Sequence, residues 1–216
     1  MITVLATKKL TKTQKKSFEN NRLQVVDKNF IKTKIVPFEI NILNEILLFT
    51  SKNAVKSVLK NSNSLTSKKC ICVGSKTKKY LEKKGFEVID YRNNAEQLAN
   101  FIITKHKEKT FTFFSGNLRK NDLPKVLIEN NVVYNEITVY ETYLKPHKLE
   151  TAFNGIAFFS PSGVSSYLKN NELKNEVCFC IGKTTAKALE NKTQNIKIIT
   201  QPSVENVIEE IIKYYN

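Results

Sequence analysis

Tryptophan is absent from this chain of 216 residues, and methionine occurs only at Met1. Arginine occurs only at Arg22, Arg92 and Arg119, aspartate only at Asp27, Asp90 and Asp122, and histidine only at His106 and His147. These scarcities exclude several chemistries. No aspartate stands in a recognisable arrangement with a histidine, which argues against a serine–histidine hydrolase and against a carboxylate metal cluster. No G-x-G-x-x-G follows a strand-like run, so there is no dinucleotide fingerprint. Gly182-Lys183-Thr184-Thr185 resembles the end of a phosphate-binding loop, but Val177 stands where the first glycine belongs, and a nucleoside triphosphatase is rejected. No stretch approaches the roughly 18 apolar residues of a membrane span, so no membrane partner is expected. The start, MITVLATKKL, puts an apolar strand ahead of its lysines, the reverse of a signal peptide, and a cytoplasmic protein is expected.

What the chain does have is positive charge, formally +15 at pH 7. That points to an anionic partner, although compositional bias towards Lys, Asn, Ile and Phe explains part of it. The lysines are scattered, and no segment concentrates arginine with aromatics, so nucleic acid is not the expected partner. The four cysteines form Cys70-x-Cys72 and Cys178-x-Cys180, each in an apolar run before a glycine. Residues i and i+2 of a strand share a face, so each pair is expected to be buried, reduced core rather than a metal site; zinc sites prefer wider spacing and additional ligands.

The chain is also written twice. Residues 49–59, FTSKNAVKSVL, reappear as 158–168, FFSPSGVSSYL; residues 70–81, CICVGSKTKKYL, reappear as 178–189, CFCIGKTTAKAL. ITVLATKKL with FENN at 18–21 is echoed by FTFFSGNLRKN with IENN at 128–131. The offsets are 109, 108 and 110 residues, about half the chain, and imply two related halves facing across a cleft. Strand-like runs at 2–6, 23–27, 31–36, 46–50, 69–73, 86–90, 111–115, 132–140, 155–160, 176–181 and 196–200 alternate with helical patterns at 11–20, 52–60, 75–84, 94–106, 119–130, 162–170, 183–191 and 203–215. Buried strands alternating with helices predict parallel sheets in an α/β fold. Ser51, Ser75, Ser162 and Ser203 are placed as helix N-caps and Gly85 as a helix stop. The segments 31–42 and 135–145 are extended and not followed at once by a helix; they are expected to carry the chain between domains.

A doubly wound sheet binds ligands beyond the carboxyl ends of its strands, at helix N-termini. Five hydroxyl- and glycine-rich turns occupy such places: residues 50–53, 74–77, 115–117, 160–163 and 182–185. For any one of them plain capping suffices, but together they suggest a distributed anion site, expected to converge on the interdomain cleft with Arg119 near its rim.

Taken in order, FTSKNAV, VGSKT, SGNLRKNDLP, ITVYET, FFSPSGV, CIGKTTAKAL and QPSVENVIEEI resemble uroporphyrinogen-III synthase along nearly the whole chain. One departure is Thr7-Lys8, where the family often has Thr-Arg. The resemblance implies two related parallel-sheet, flavodoxin-like domains joined by a two-stranded β ladder. One domain combines 1–35 with 143–216, the other spans 38–138, and 34–40 with 136–145 form the connecting strands. It implies an enzyme without metal or cofactor, which cyclises hydroxymethylbilane with loss of water and inversion of ring D; a monomer is expected, because the repeats can pair within one chain. It also implies a catalytic proton donor at Tyr140; a phenol keeps its proton at neutral pH and can donate it. Substrate carboxylates would meet Ser51, Thr77, Gly116, Asn117, Arg119, Ser160, Ser162, Gly182, Thr184 and Thr185. The alternative is a non-catalytic two-lobed binding protein for an anionic small molecule.

Overall fold

The fold is an α/β arrangement of two parallel sheets, seen in a computed structural model that describes residues 1–61 and 64–216. Two compact units are present: Met1–Lys32 with Tyr143–Asn216, and Thr33–Thr142. The first is built from β1 (Thr3–Ala6), α1 (Lys12–Asn20), β2 (Gln24–Asp27), β9 (Gly155–Phe158), α6 (Pro161–Tyr167), β10 (Val177–Cys180), α7 (Lys183–Lys187), β11 (Ile196–Ile198) and α8 (Val204–Tyr215). The second holds β4 (Ile46–Phe49), α2 (Lys52–Asn61), β5 (Lys69–Val73), α3 (Ser75–Lys83), β6 (Glu87–Arg92), α4 (Ala95–Lys105), β7 (Phe111–Gly116) and α5 (Asp122–Glu129). Two further strands, β3 (Ile31–Ile35) and β8 (Tyr134–Leu144), are the segments along which the chain passes from one unit to the other; they are neighbours in the second sheet.

The first sheet runs β11-β10-β9-β1-β2, all parallel. Counted in chain order this is 2-1-3-4-5, the flavodoxin-like sequence of strands. The second runs β3-β8-β7-β4-β5-β6. The two orders look different until the count in the first sheet begins at β9. Then β9, β10, β11, β1 and β2 take the same places as β4, β5, β6, β7 and β8. The duplicated unit is therefore circularly permuted in the first sheet, whose last two strands come from the start of the chain. The helix ends agree. Arg22 and Asn131 both adopt left-handed backbone just past α1 and α5, 109 positions apart. The FENN and IENN echo is thus one residue out of structural register, and the true spacing matches the offset of 109 between residues 49–59 and 158–168.

Burial follows from two-sided covering of parallel strands. β4, β7 and β9 are buried at every position. Leu47, Phe49, Cys70, Cys72 and Phe114 enter one core of the second sheet, while Ile46, Leu48, Ile71 and Phe113 enter the other. In the first sheet Val4, Ala6, Ala157 and Phe179 face one side, and Leu5, Ile156, Phe158, Cys178 and Cys180 face the other. Both cysteine pairs are free and buried, and burial pushes each thiol up to about 12. Native protein should therefore resist alkylation at pH 8 and yield four reactive thiols once denatured; rapid native modification of any one would contradict the packing. Because folding favours the protonated thiols, their contribution to stability is present below about pH 9 and lost as pH rises towards about 12.

Several expected local features shift. Ser51 and Ser203 cap their helices, accepting from the Ala54 and Asn206 amides. Ser75 and Ser162 do not: Gly74 and Ser160 hold those N-cap positions, with Pro161 opening α6. Gly85 has φ +86° and closes α3: its amide donates to the Glu82 carbonyl and the Phe86 amide to the Leu81 carbonyl, the pair of hydrogen bonds of a Schellman end. The extended run expected over 31–42 forms a strand only to Ile35. The helix expected over 119–130 begins at Asp122, which leaves Arg119 in the preceding loop.

Candidate active site

In the second unit the connections from β4 and β7 depart to opposite sides of the sheet, so the crevice beyond their carboxyl ends is the switch point at which such sheets take ligands. Ser51 lies in the turn after β4; Gly116 ends β7 and Asn117 follows it. Tyr140 comes from the adjacent β8, and a bulge decides its direction. β7 and β8 pair in step up to Ser115 with Thr138, after which Gly116 pairs with Tyr140, so Val139 is the extra residue. The bulge turns Val139 into the core and lays the Tyr140 ring over Gly116. A β carbon at Gly116 would lie 2.3 Å from Tyr140 Cζ and 2.8 Å from its hydroxyl oxygen, so only glycine admits the ring there. Ser51 Oγ donates to Tyr140 Oη at 3.0 Å and accepts from the Ala54 amide at 3.2 Å.

Asn117 continues this corner. Its Oδ1 accepts from the Thr142 amide at 2.8 Å, and its own amide donates to the Tyr140 carbonyl at 3.3 Å. Arg119 is not a free cation. Its Nε and Nη2 reach Glu136 Oε1 and Oε2 at 2.5 and 2.7 Å, and Nη1 donates to Asn121 Oδ1. Burial would raise the Glu136 carboxyl, but the Arg119 guanidinium outweighs it and holds it below the usual carboxylate range. The buried Ser115 hydroxyl makes no hydrogen bond of ordinary geometry, yet it stands near enough to Glu136 to favour the ionised form. Glu136→Gln should destabilise the protein by about 1–2 kcal/mol, since it weakens a partly buried charged pair. The wild type should lose this contribution as pH falls from about 4.5 through the lowered pKa, and the variant should lack that part of the acid slope. Identical acid denaturation curves would show that the pair contributes nothing.

Thr77 lies in the first turn of α3 and is buried, its amide donating to the Gly74 carbonyl. In the first unit, the switch point lies between β9 and β1. There Ser160 Oγ accepts from the Gly163 amide at 3.0 Å and stands 3.1 Å from Ser162 Oγ. The Thr7 hydroxyl donates to the Ala157 carbonyl at 2.8 Å, and Lys8 Nζ lies 5.6 Å from the Phe159 ring centroid. Asp27 braces the loop after β1, accepting from the Leu10 amide and from Lys15, both at 2.8 Å, and from Lys9 at 3.3 Å. Gly182 caps α7; Thr184 is exposed in its first turn, whereas Thr185 is buried. Within each unit, then, the candidate turns all follow strand carboxyl ends. Among the described residues no cluster of three or more His, Cys, Asp or Glu could hold a metal ion, and no helix is long and apolar enough to cross a membrane.

The family model described as uroporphyrinogen-III synthase HemD matches residues 13–209. The chain belongs to the uroporphyrinogen-III synthase family. It is 27% identical over 195 residues to a uroporphyrinogen-III synthase of Chlorobaculum parvum, covering 77% of this chain and 79% of that protein. Its fold is shared with the crystal structure of uroporphyrinogen-III synthetase from Helicobacter pylori 26695, at TM-score 0.74 and 21% identity over 99% of this chain and all of the other. It is also shared with a mutant uroporphyrinogen III synthase from the extremely thermophilic bacterium Thermus thermophilus, at TM-score 0.70 and 13% identity over 100% and 98% of the two chains. The family's activity is that of a cyclising lyase of tetrapyrrole biosynthesis.

Three features of the corner escaped the sequence reading. The Ser51–Tyr140 bond spans 89 positions, and nothing local announces it. Glu136 as the partner of Arg119 could have been suspected, since a carboxylate within the strand run NEITVYET calls for a cation. The Asn117–Thr142 pair has no signal beyond its place in two motifs.

Proposed function

We propose that this chain converts hydroxymethylbilane into uroporphyrinogen III with loss of water and inversion of ring D, and that Tyr140 supplies the proton to the departing hydroxyl. The observation that carries the reading is the seating of the Tyr140 phenol at a strand-end switch point, on a glycine that admits its ring and against a serine that holds its oxygen. A positioned acid suits a leaving hydroxide, which departs as water once protonated. A linear tetrapyrrole bearing acetate and propionate groups also suits the site's chemistry: backbone donors at Ser160, Ser162, Gly182 and Thr184, and an overall charge of +15, favour a polycarboxylate over one small anion. Arg119 is assigned here to bracing the loop after β7 rather than to direct contact with the substrate, because Glu136 already engages it. The four protonated thiols fit work in a reducing, cytoplasmic compartment, and the protein is proposed to act as a monomer.

The test is to supply purified protein with hydroxymethylbilane and to resolve the type I and type III isomers after oxidation. Type III product is expected. Binding of the bilane with only type I product would leave a two-lobed binding protein as the better reading.

A further inference from the structure

We infer that Ser51 is a positioning residue for Tyr140 rather than a ligand of the substrate's carboxylates. The inference rests on the reading of Tyr140 as proton donor. Ser51 Oγ has one proton and two lone pairs. One lone pair takes the Ala54 amide at the start of α2, at 3.2 Å, and the proton goes to Tyr140 Oη at 3.0 Å. Ser51 therefore joins the Ala54 amide, in the first turn of α2, to the phenol, and the chain of donors runs from helix to serine to tyrosine. The phenol oxygen, accepting from Ser51, keeps its own proton free for another acceptor, and hydrogen bonds in series polarise one another in the same sense.

The geometry leaves the ring few alternatives. Gly116 lies against one face of it, the β8 bulge sets its backbone, and the ring packs on the core that includes Val139 and Phe114. What the packing does not set is the direction of the O–H bond, which rotates freely unless a partner fixes it. Ser51 is that partner. The helix in turn fixes Ser51: its carbonyl accepts from the Val55 amide while its hydroxyl takes Ala54.

Ser51→Gly separates this role from simple capping, because glycine at an N-cap costs only a few tenths of a kcal/mol. The variant should keep the wild-type melting temperature. It should lose about fivefold to tenfold in the kcat for type III formation, the effect of one well-placed hydrogen bond, while KM for hydroxymethylbilane stays within about twofold. Ser51→Thr, which keeps the hydroxyl, should recover most of the loss. In a Tyr140→Phe background, Ser51→Gly should cost nothing further, because the group it orients is gone.

A rise in KM with kcat unchanged would assign Ser51 to carboxylate binding and overturn the proposal. Full additivity of the two substitutions would do the same. If Tyr140→Phe were harmless while Ser51→Gly was harmful, Ser51 would act on the substrate directly, and both the positioning role and the acid role would fall. If both were harmless, the proposal would again be wrong, with type III synthesis by the wild type still standing as a separate result.

Discussion

Gly116→Ala is expected to abolish most type III synthesis, with a loss at least as large as that of Tyr140→Phe. The added methyl would sit 2.3 Å from Tyr140 Cζ and 2.5 Å from Cε2, distances that real β carbons do not show. The ring must leave its seat, which breaks its bond to Ser51 and moves the phenol off the switch point. Position matters steeply for a general acid: a displacement of about 1 Å can cost on the order of 100-fold. Overpacking should also destabilise the protein by about 1–3 kcal/mol. The diagnostic comparison uses Tyr140→Ala. Removing the ring should relieve the stability cost of Gly116→Ala without restoring activity, and Tyr140→Phe should relieve neither, because the clash is with ring atoms. A fully active Gly116→Ala would mean that the ring can act from another place, and the corner described here would not be the catalytic one.

Tyr140→Phe is expected to lower type III formation by up to about 100-fold, the low end of what general acids contribute, with the fold intact. The ceiling is set low for a physical reason. The hydroxyl of the substrate can depart partly unaided, and water or backbone donors can replace a lost proton source. Most of the enzyme's contribution should then lie in holding the bilane curled for inversion of ring D, which converts an improbable encounter into an intramolecular one. A bulky residue at the exposed Thr184 should impair that step comparably by crowding the first turn of α7. Circular dichroism and melting temperature should match the wild type, since Ser51 keeps its capping bond to Ala54. An unaltered type III rate in Tyr140→Phe, with a Thr184 substitution still harmful, would leave substrate folding as the whole mechanism.

The sequence by itself determined the fold class, the free and buried state of the cysteines, and the place of each candidate turn at the end of a strand. Those properties are local. Burial of a strand on both faces is written in a run such as ILLF or FTFFSG, and the shared face of Cys70 and Cys72 follows from a two-residue period. The repeats announced a duplication, but they did not say that its first copy of the pattern closes in the middle of the chain while its second closes with β1 and β2. Strand order decides that, and adjacent places in a parallel sheet leave no mark on the residues that fill them. Capping was half legible for a related reason: Ser51 and Ser203 read correctly, while two nearby candidates compete at Gly74-Ser75 and at Ser160-Pro161-Ser162, and only backbone geometry chooses between them. The corner at Tyr140 lay furthest from the sequence. It depends on one extra residue in β8 and on a contact across 89 positions, and both arise where β4, β7 and β8 lie side by side. A bulge changes which way one side chain points without changing what any neighbouring residue is, so the pairing of Ser51, Gly116 and Tyr140 was decided by tertiary structure alone.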